Sequence, residues 1–285
     1  MTIQTVGVVG SGTMGSGIAQ TCVQHGFRVL LYDLNDAIVQ KAFTQIKKRL
    51  NRLVEKGKME EQTFQDSISR IETCTDLSLM KACDLVIEAV PEKINMKKEI
   101  FQALDEHCPE QTILTTNTSS FSVTEIASVT KTGERVAGLH FFNPVPLMPL
   151  VEIVRGVKTS EDTLKKLAQF VSSLHKDPVV CEDTPGFIVN RIARPFYNEA
   201  LKIAGERLAK PEQIDRIMKK AGRFKMGPFE LQDLIGIDVN FSTTETVYNS
   251  FFGEERFRPH YLQQRMVQSG KLGRKAGEGY YRYEN

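Results

Sequence analysis

Several features are missing or scarce in this 285-residue chain, and each absence excludes a class. Its five cysteines (Cys22, Cys74, Cys83, Cys108, Cys181) are odd in number, widely spaced and without a C-x-x-C pair. Neither a disulfide framework nor a zinc site is indicated, and a reducing compartment is the simplest setting. The formal net charge of +2 is too small to argue for nucleic acid or an anionic membrane as partner, so any basic patch must be local. No apolar stretch approaches the roughly 20 residues needed to span a bilayer. The opening "MTIQTVGVVG" enters a strand at once, which leaves no room for a signal or transit segment and makes the cytoplasm the expected location. No internal repeat or low-complexity tract stands out. What remains, 41% hydrophobic and 25% charged residues, is ordinary for a soluble globular protein, with length for one large or two moderate domains.

Short Val/Ile/Leu runs alternate with helical patterns through the first two-thirds. "TVGVVG", "RVLLYD", "DLVIEAV", "TILTTN", "RVAGLHFF", "LVEIV" and "DPVVCED" read as strands. Helices are expected near 14–25, 37–56, 96–107 and 161–175. Continuous apolar strands between helices are buried on both faces, the sequence form of a mostly parallel sheet. At "EDTPGF" the strand-like runs stop and the pattern becomes helical, with Pro195 expected to kink the first helix. The expectation is an α/β, Rossmann-type domain over residues 1–185 and an all-helical second domain over 186–285.

"VGVVGSGTMGSGIAQ" places Gly10, Gly12 and Gly15 at G-x-G-x-x-G spacing. The spacing alone is weak, but here it follows a buried strand and opens a helix. Gly10 permits the tight turn, Gly12 lets backbone approach a pyrophosphate, and Gly15 lets helix and strand pack closely. The helix N-terminus supplies donors to the anion. Asp33 ends the second strand, where an acid takes the adenosine ribose hydroxyls and repels a 2′-phosphate, so NAD is expected over NADP. A glycine-rich turn beside a strand-ending Asp is the bland alternative.

"HFFNPVPLMPLVEIV" poses a second problem. Alternation puts Glu152 on a strand whose two faces are otherwise apolar, and a buried carboxylate without a partner is expensive. His140 ends the preceding strand. If those strands are neighbours, the carboxylate accepts from one ring nitrogen and the imidazole can act as a base. Otherwise the pair is a structural histidine and a solvent-facing edge glutamate. Beside a nicotinamide, the first arrangement suits alcohol oxidation, in which hydride leaves carbon while a base removes the hydroxyl proton. Ser119 in "TTNTSS" and Asn190 in "GFIVNRI" are candidates to hold the reacting oxygen, and either could equally be a turn or cap residue.

Taken together, "GSGTMGSGIAQ", "EAVPEKINMKKEIF", "TNTSS", "GLHFFNPVPLMPLVEIV", "DTPGFIVNRI", "MGPFELQDLIGID" and "GRKAGEGYY" resemble the L-3-hydroxyacyl-CoA dehydrogenase family, which includes bacterial 3-hydroxybutyryl-CoA dehydrogenases. The likeness runs essentially end to end. It implies that His140 is the catalytic base and Glu152 its partner, with Ser119, Asn143 and Asn190 positioning substrate and nicotinamide. It also implies NAD contacts from Thr13, Met14, Glu92, Lys97 and Lys275 beside Asp33 and the glycine loop. The family binds acyl-CoA between its two domains, dimerises through the helical one and works in fatty acid metabolism and β-oxidation.

Coenzyme A needs cations for its phosphates, and "IKKRLNRLVEKGK" offers Lys48, Arg52 and Lys56 at i, i+4 and i+8. Lys56 coincides with a lysine the family uses for CoA. Where relatives carry a CoA-contacting serine, this chain has Arg49. A solvated basic helix face is the alternative. The reaction expected is reversible NAD-linked oxidation of an L-3-hydroxyacyl-CoA, of short chain such as 3-hydroxybutyryl-CoA. The rivals are 3-hydroxyadipyl-CoA in aromatic-compound breakdown and an inactive dinucleotide-binding relative, as lambda-crystallin is in the lens. Phe251 and Phe252 look exposed and apolar, which fits either self-association or a core.

Overall fold

The computed structural model describes residues 3–284. The chain divides into two compact units, Met1–Asp183 and Thr184–Asn285. In the first, the glycine loop joins β1 (Thr5–Val9) to α1 (Thr13–Gln24), and β2 (Arg28–Tyr32) leads into the long α2 (Asp36–Glu55). Next come α3 (Glu61–Ser69), β3 (Ile71–Cys74), β4 (Leu85–Glu88), α4 (Ile94–His107), β5 (Ile113–Thr116), the short α5 (Val123–Ala127) and β6 (Val136–Phe141). The unit closes with β7 (Leu150–Arg155), α6 (Glu161–Ser173) and β8 (Asp177–Glu182).

The eight strands form one sheet in the order β3-β2-β1-β4-β5-β6-β7-β8. All neighbours run parallel except β6 and β7, which are antiparallel. The order of the first six is the Rossmann order. The reversal has a local cause. Only residues 142–149 link β6 to β7, with no helix among them, whereas a parallel return needs a crossover of a dozen residues or more.

Alternation sorts side chains onto two faces. Val6, Val8, Leu31, Leu85, Ile87, Leu139, Phe141, Val151 and Ile153 share one core with Ile18 of α1 and Ile46 of α2. Val9, Leu30, Val86, Leu114 and Val136 share the other with Phe101 and Leu104 of α4. By the same alternation Glu88, Thr116, His140 and Glu152 all belong to the second face. Polar groups therefore concentrate on one side of the sheet, toward the ends of adjacent strands.

The two edges of the sheet depart from the sequence pattern. The strand β3 and helix α3 escape the sequence pattern because β3 is a four-residue, half-exposed edge. "DPVVCED" does form β8, but as the opposite edge it is not buried on both faces; Val179 and Val180 are 36% and 45% exposed.

The second unit is helical: α7 (Val189–Gly205), α8 (Pro211–Lys220), α9 (Pro228–Ile235), α10 (Ile237–Ser250) and α11 (Tyr261–Gln268). Helix α7 continues through Pro195. A small apolar core of Ala200, Leu201, Ile214 and Phe229 is supplemented by buried carboxylates. Asp233 accepts from the backbone N–H groups of Tyr280 and Tyr281 and from the Tyr283 hydroxyl, while Asp215 accepts from the Tyr281 hydroxyl, so the tail is latched to the bundle. Phe252 is fully exposed at a positive φ of 53°, while Phe251 stacks on Phe257. No helix among the described residues is long and apolar enough to cross a membrane.

Candidate active site

The glycine loop is a cradle whose three glycines are demanded by space. Gly10 has φ +98°, and a Cβ there would lie 2.7 Å from the carbonyl oxygen of Ala89. A Cβ on Gly15 would lie 1.8 Å from the Gly10 carbonyl oxygen, so helix and strand meet only without one. At Gly12 a Cβ would meet nothing within 4 Å, which leaves open room for a ligand over the backbone. Gly12 caps α1 without any side-chain hydrogen bond, and no acidic residue sits in the first turn, so the N–H groups around Thr13 and Met14 are available to an anion. Asp33, just past β2, accepts from Ser11 N–H (2.8 Å) and Ser11 Oγ (2.7 Å) through Oδ2, and from Leu34 N–H through Oδ1. The acid that would take a ribose also ties down the phosphate loop.

His140 and Glu152 are direct partners across β6 and β7. His140 Nδ1 lies 2.8 Å from Glu152 Oε2, with His140 6% and Glu152 0% exposed. A carboxylate accepts only, so Nδ1 carries the proton in this bond, and proton exchange is directed to the Nε2 side of the ring. The Phe142 ring packs 4.4 Å from the imidazole. Asn117 Oδ1 accepts the Phe141 N–H at 2.9 Å, which anchors the end of β6 to the loop after β5. Asn143 follows, joined to Pro144 by a cis peptide bond.

Ser119 lies on the 117–122 loop, held by a carboxylate that the sequence places elsewhere. Glu92 Oε1 accepts from Thr118 Oγ1 (2.6 Å), Ser119 N–H (3.0 Å) and Ser119 Oγ (3.4 Å). Its Oε2 lies 3.1 Å from Lys97 Nζ. Burial pushes the Glu92 carboxyl up, but the Lys97 ammonium and these hydrogen bonds outweigh it and hold it below the usual carboxylate range. Lys97 itself is 1% exposed and donates to both oxygens of Glu88, at 2.8 and 3.1 Å. Glu88, fully buried, also accepts from Thr116 Oγ1 and Val90 N–H. The ammonium is thus absorbed by protein carboxylates and orders Glu92, which orders the Ser119 loop.

The basic residues of α2 divide between solvent and a contact with α1. Lys48, Arg52 and Lys56 are exposed, and their i, i+4, i+8 spacing drifts around the helix. Arg49 and Lys56, at i and i+7, are aligned within about 20°. Arg49 crosses to α1, where Nε donates to Gln20 Oε1 (2.7 Å) and Nη2 to the Ser16 carbonyl (3.1 Å).

In the helical unit Asn190 lies in the first turn of α7. Arg194, 2% exposed, donates to the Asn190 carbonyl (3.2 Å), the Asn240 carbonyl and Thr244 Oγ1, and stacks over the Tyr197 ring. Burial lowers its guanidinium pKa to about 10, still well above neutrality. Lys275 pairs with Asp238 at 2.6 Å.

These features match a known family along nearly the whole chain. Residues 5–184 match the profile of the 3-hydroxyacyl-CoA dehydrogenase NAD binding domain, and residues 186–283 that of the 3-hydroxyacyl-CoA dehydrogenase C-terminal domain. The chain belongs to the 3-hydroxyacyl-CoA dehydrogenase family. It is 50% identical, over 98% of its length, to a 3-hydroxyadipyl-CoA dehydrogenase of Escherichia coli, of which it spans 59%. It is 44% identical to a probable 3-hydroxybutyryl-CoA dehydrogenase of Bacillus subtilis, covering all of this chain and 99% of that one. Among solved structures, a (S)-3-hydroxybutyryl-CoA dehydrogenase from Ralstonia eutropha superposes with a TM-score of 0.95 at 42% identity, with both chains fully covered.

Within this fold, three residues with clear structural work carry little or no signal in the local sequence. Glu88 yields to the rule that exposes Glu152: a carboxylate inside an apolar strand, here "LVIE", needs a buried partner. Asn117 and Arg194 carry no such signal, since a loop asparagine and a helix arginine are ordinary. The NAD-binding unit brings together the glycine cradle with Asp33, and separately His140 with Glu152 and Ser119 with Glu92 and Lys97. Asn190 and Lys275 belong to the other unit.

Proposed function

We propose that this chain interconverts L-3-hydroxyacyl-CoA and 3-ketoacyl-CoA, with short acyl chains such as 3-hydroxybutyryl-CoA preferred. The observation that carries the reading is the His140–Glu152 bond, buried and registered at one end of a sheet that also presents a dinucleotide cradle. In oxidation, His140 Nε2 takes the proton of the C3 hydroxyl, and Glu152 stabilises the imidazolium through Nδ1. Ser119 donates to the reacting oxygen, its loop set by Glu92. Bound NAD supplies the acceptor for the hydride that leaves C3. In reduction His140 returns its proton to the oxygen.

Residues 1–185 act as the NAD-binding domain and 186–285 as the substrate-binding and dimerisation domain. Asn143 is assigned to the nicotinamide, Asn190 to the substrate and Lys275 to the cofactor on the family pattern, and Lys56 and Arg52 to CoA. The active form is a cytoplasmic homodimer. A second reading, 3-hydroxyadipyl-CoA as physiological substrate, draws support from the name of the E. coli relative.

The deciding assay adds acetoacetyl-CoA and NADH and follows the NADH absorbance band. Its decay at enzyme-dependent rate supports the reading, and a flat trace at high enzyme concentration removes it. A steady-state comparison with a dicarboxylic 3-keto ester then separates the two substrates by kcat/KM.

A further inference from the structure

Arg194, in the second turn of α7, is a buried cation without an acid. Its hydrogen-bond acceptors are the Asn190 and Asn240 carbonyls, Thr244 Oγ1 and Asn190 Oδ1, all neutral, and its guanidinium lies over the Tyr197 ring. Among the described residues no aspartate or glutamate pairs with it. Lys97, buried to a similar degree, lies against both Glu88 and Glu92. Taking a charge out of water is expensive unless an opposite charge compensates it. Tying α7 to α10 does not require that charge, because a neutral donor would serve the same two acceptors. A guanidinium kept inside a small helical bundle without a carboxylate points to an anion supplied from outside the chain.

The bonds of the guanidinium show which of its nitrogens can take that anion. Nη1 spends its two N–H groups on the Asn240 carbonyl and Thr244 Oγ1, each at 2.9 Å. Nε donates to the Asn190 carbonyl at 3.2 Å. Nη2 also carries two N–H groups, and makes one long contact, 3.5 Å, with Asn190 Oδ1. A contact of that length is weak, so an anion displaces it at little loss. The least satisfied nitrogen is thus the one turned toward the Asn190 side chain, the residue assigned above to the substrate. The three firm bonds and the Tyr197 ring hold the fork in place, so little side-chain freedom is lost when a ligand binds.

We infer that Arg194 is a specificity residue that binds a carboxylate at the far end of the acyl chain. This rests on the acyl-CoA dehydrogenase reading and on the assignment of Asn190 to the substrate, and it gives the dicarboxylic substrate a residue of its own. The dimensions agree. Positions i and i+4 stand about 5–6 Å apart on one helix face, which is the separation of residues 190 and 194. In a six-carbon 3-keto diacid ester the far carboxyl carbon is three bonds from C3, about 4 Å when extended. Its oxygens then come within hydrogen-bond reach of Nη2 while C3 stays beside Asn190. A four-carbon chain ends one bond past C3 and leaves Arg194 as it is in the free protein.

The experiment compares 3-oxoadipyl-CoA with 3-oxohexanoyl-CoA at saturating NADH, two six-carbon esters that differ in ending on a carboxylate or a methyl group. The wild type is expected to favour the acidic ester in kcat/KM by about 10-fold or more, the scale of one charge-assisted contact. Arg194→Met should abolish that preference, mainly through KM, because the carboxylate is remote from the reacting carbon. Arg194→Lys keeps the charge but not the fork, retains part of the preference, and covers the case in which the methionine variant does not fold. Arg216→Ala, exposed on α8, keeps the wild-type ratio. A purely structural role for Arg194 would lower kcat for both esters together and leave their ratio unchanged. A wild type that favours the methyl-ended ester, or wild-type ratios in the Arg194 variants, would overturn the assignment while leaving the dehydrogenase reading intact. Calorimetric titration of both esters into the NADH complex is the second measurement. Arg194-dependent preference for the acidic ester in a protein that reduces neither would retain the carboxylate site and remove the dehydrogenase reading.

Discussion

His140 and Glu152 are Cα partners on the antiparallel pair β6–β7, and their side chains meet at 2.8 Å on the face opposite Leu139, Phe141, Val151 and Ile153. The reversal of β7 is what makes this contact. Replacing His140 by Gln is expected to lower kcat by at least about 100-fold with NAD affinity kept, because only the proton acceptor is lost. Near-normal turnover of acetoacetyl-CoA reduction in that variant would take His140 out of the reaction.

The buried trio Glu88–Lys97–Glu92 makes a thermodynamic prediction. Lys97→Met leaves Glu88 as an uncompensated buried carboxylate and should cost about 3 kcal/mol or more in urea unfolding. Adding Glu88→Gln removes that charge and should regain at least half of the loss, since deleting both members of a buried pair is far milder than deleting one. Strictly additive losses would show that the two residues do not act as a pair. Turnover should stay low in the double variant, because Glu92 no longer has an ammonium to hold it against the Ser119 loop.

Asp33 should set the cofactor preference. Asp33→Asn removes the negative charge that repels a 2′-phosphate and weakens the bonds to Ser11. The ratio of kcat/KM for NADH over NADPH is expected to drop about 10-fold, mostly through the NADH term and partly through gain with NADPH. An unchanged ratio would show that specificity is set at another position.

Asp105 and Arg135 form a buried bridge at 2.8 Å, reinforced by the Lys131 N–H on the carboxylate. Burial raises the Asp105 carboxyl, but the Arg135 hydrogen bond and that N–H prevail, and the folded-state pKa lies below the ordinary carboxylate value. A depressed pKa contributes stability that is present above the unfolded value, about 4, and is lost as pH falls through the folded one. The stability gap between wild type and Asp105→Asn should therefore be flat from pH 5 to about 7. Below about pH 4 it should shrink. A gap that widens in acid would contradict the sign.

The parts of the site carried by one short segment are legible in the sequence alone. The glycine spacing with its flanking strand and helix, Asp33 at the next strand end and the buried Glu152 each follow from local pattern. So do the α/β character and the change to helices near residue 185. The reason is physical: turn geometry, helix dipole and strand alternation are short-range consequences of residue type. The weak edge strand β3 is not legible, because half-exposed residues do not alternate cleanly.

Periodicity tells which side of an element a residue occupies but not which element will face it. Glu88, Lys97, Glu92 and Ser119 come from a strand, a helix and two loops, and only packing around the sheet joins them into one chain of contacts. The same is true of Arg49, whose role as a bridge to α1 depends on how two helices lie across the sheet, and of His25 against His175, 150 positions apart. The chemistry is written in residue types. Its partners are chosen by tertiary contacts that no local pattern encodes.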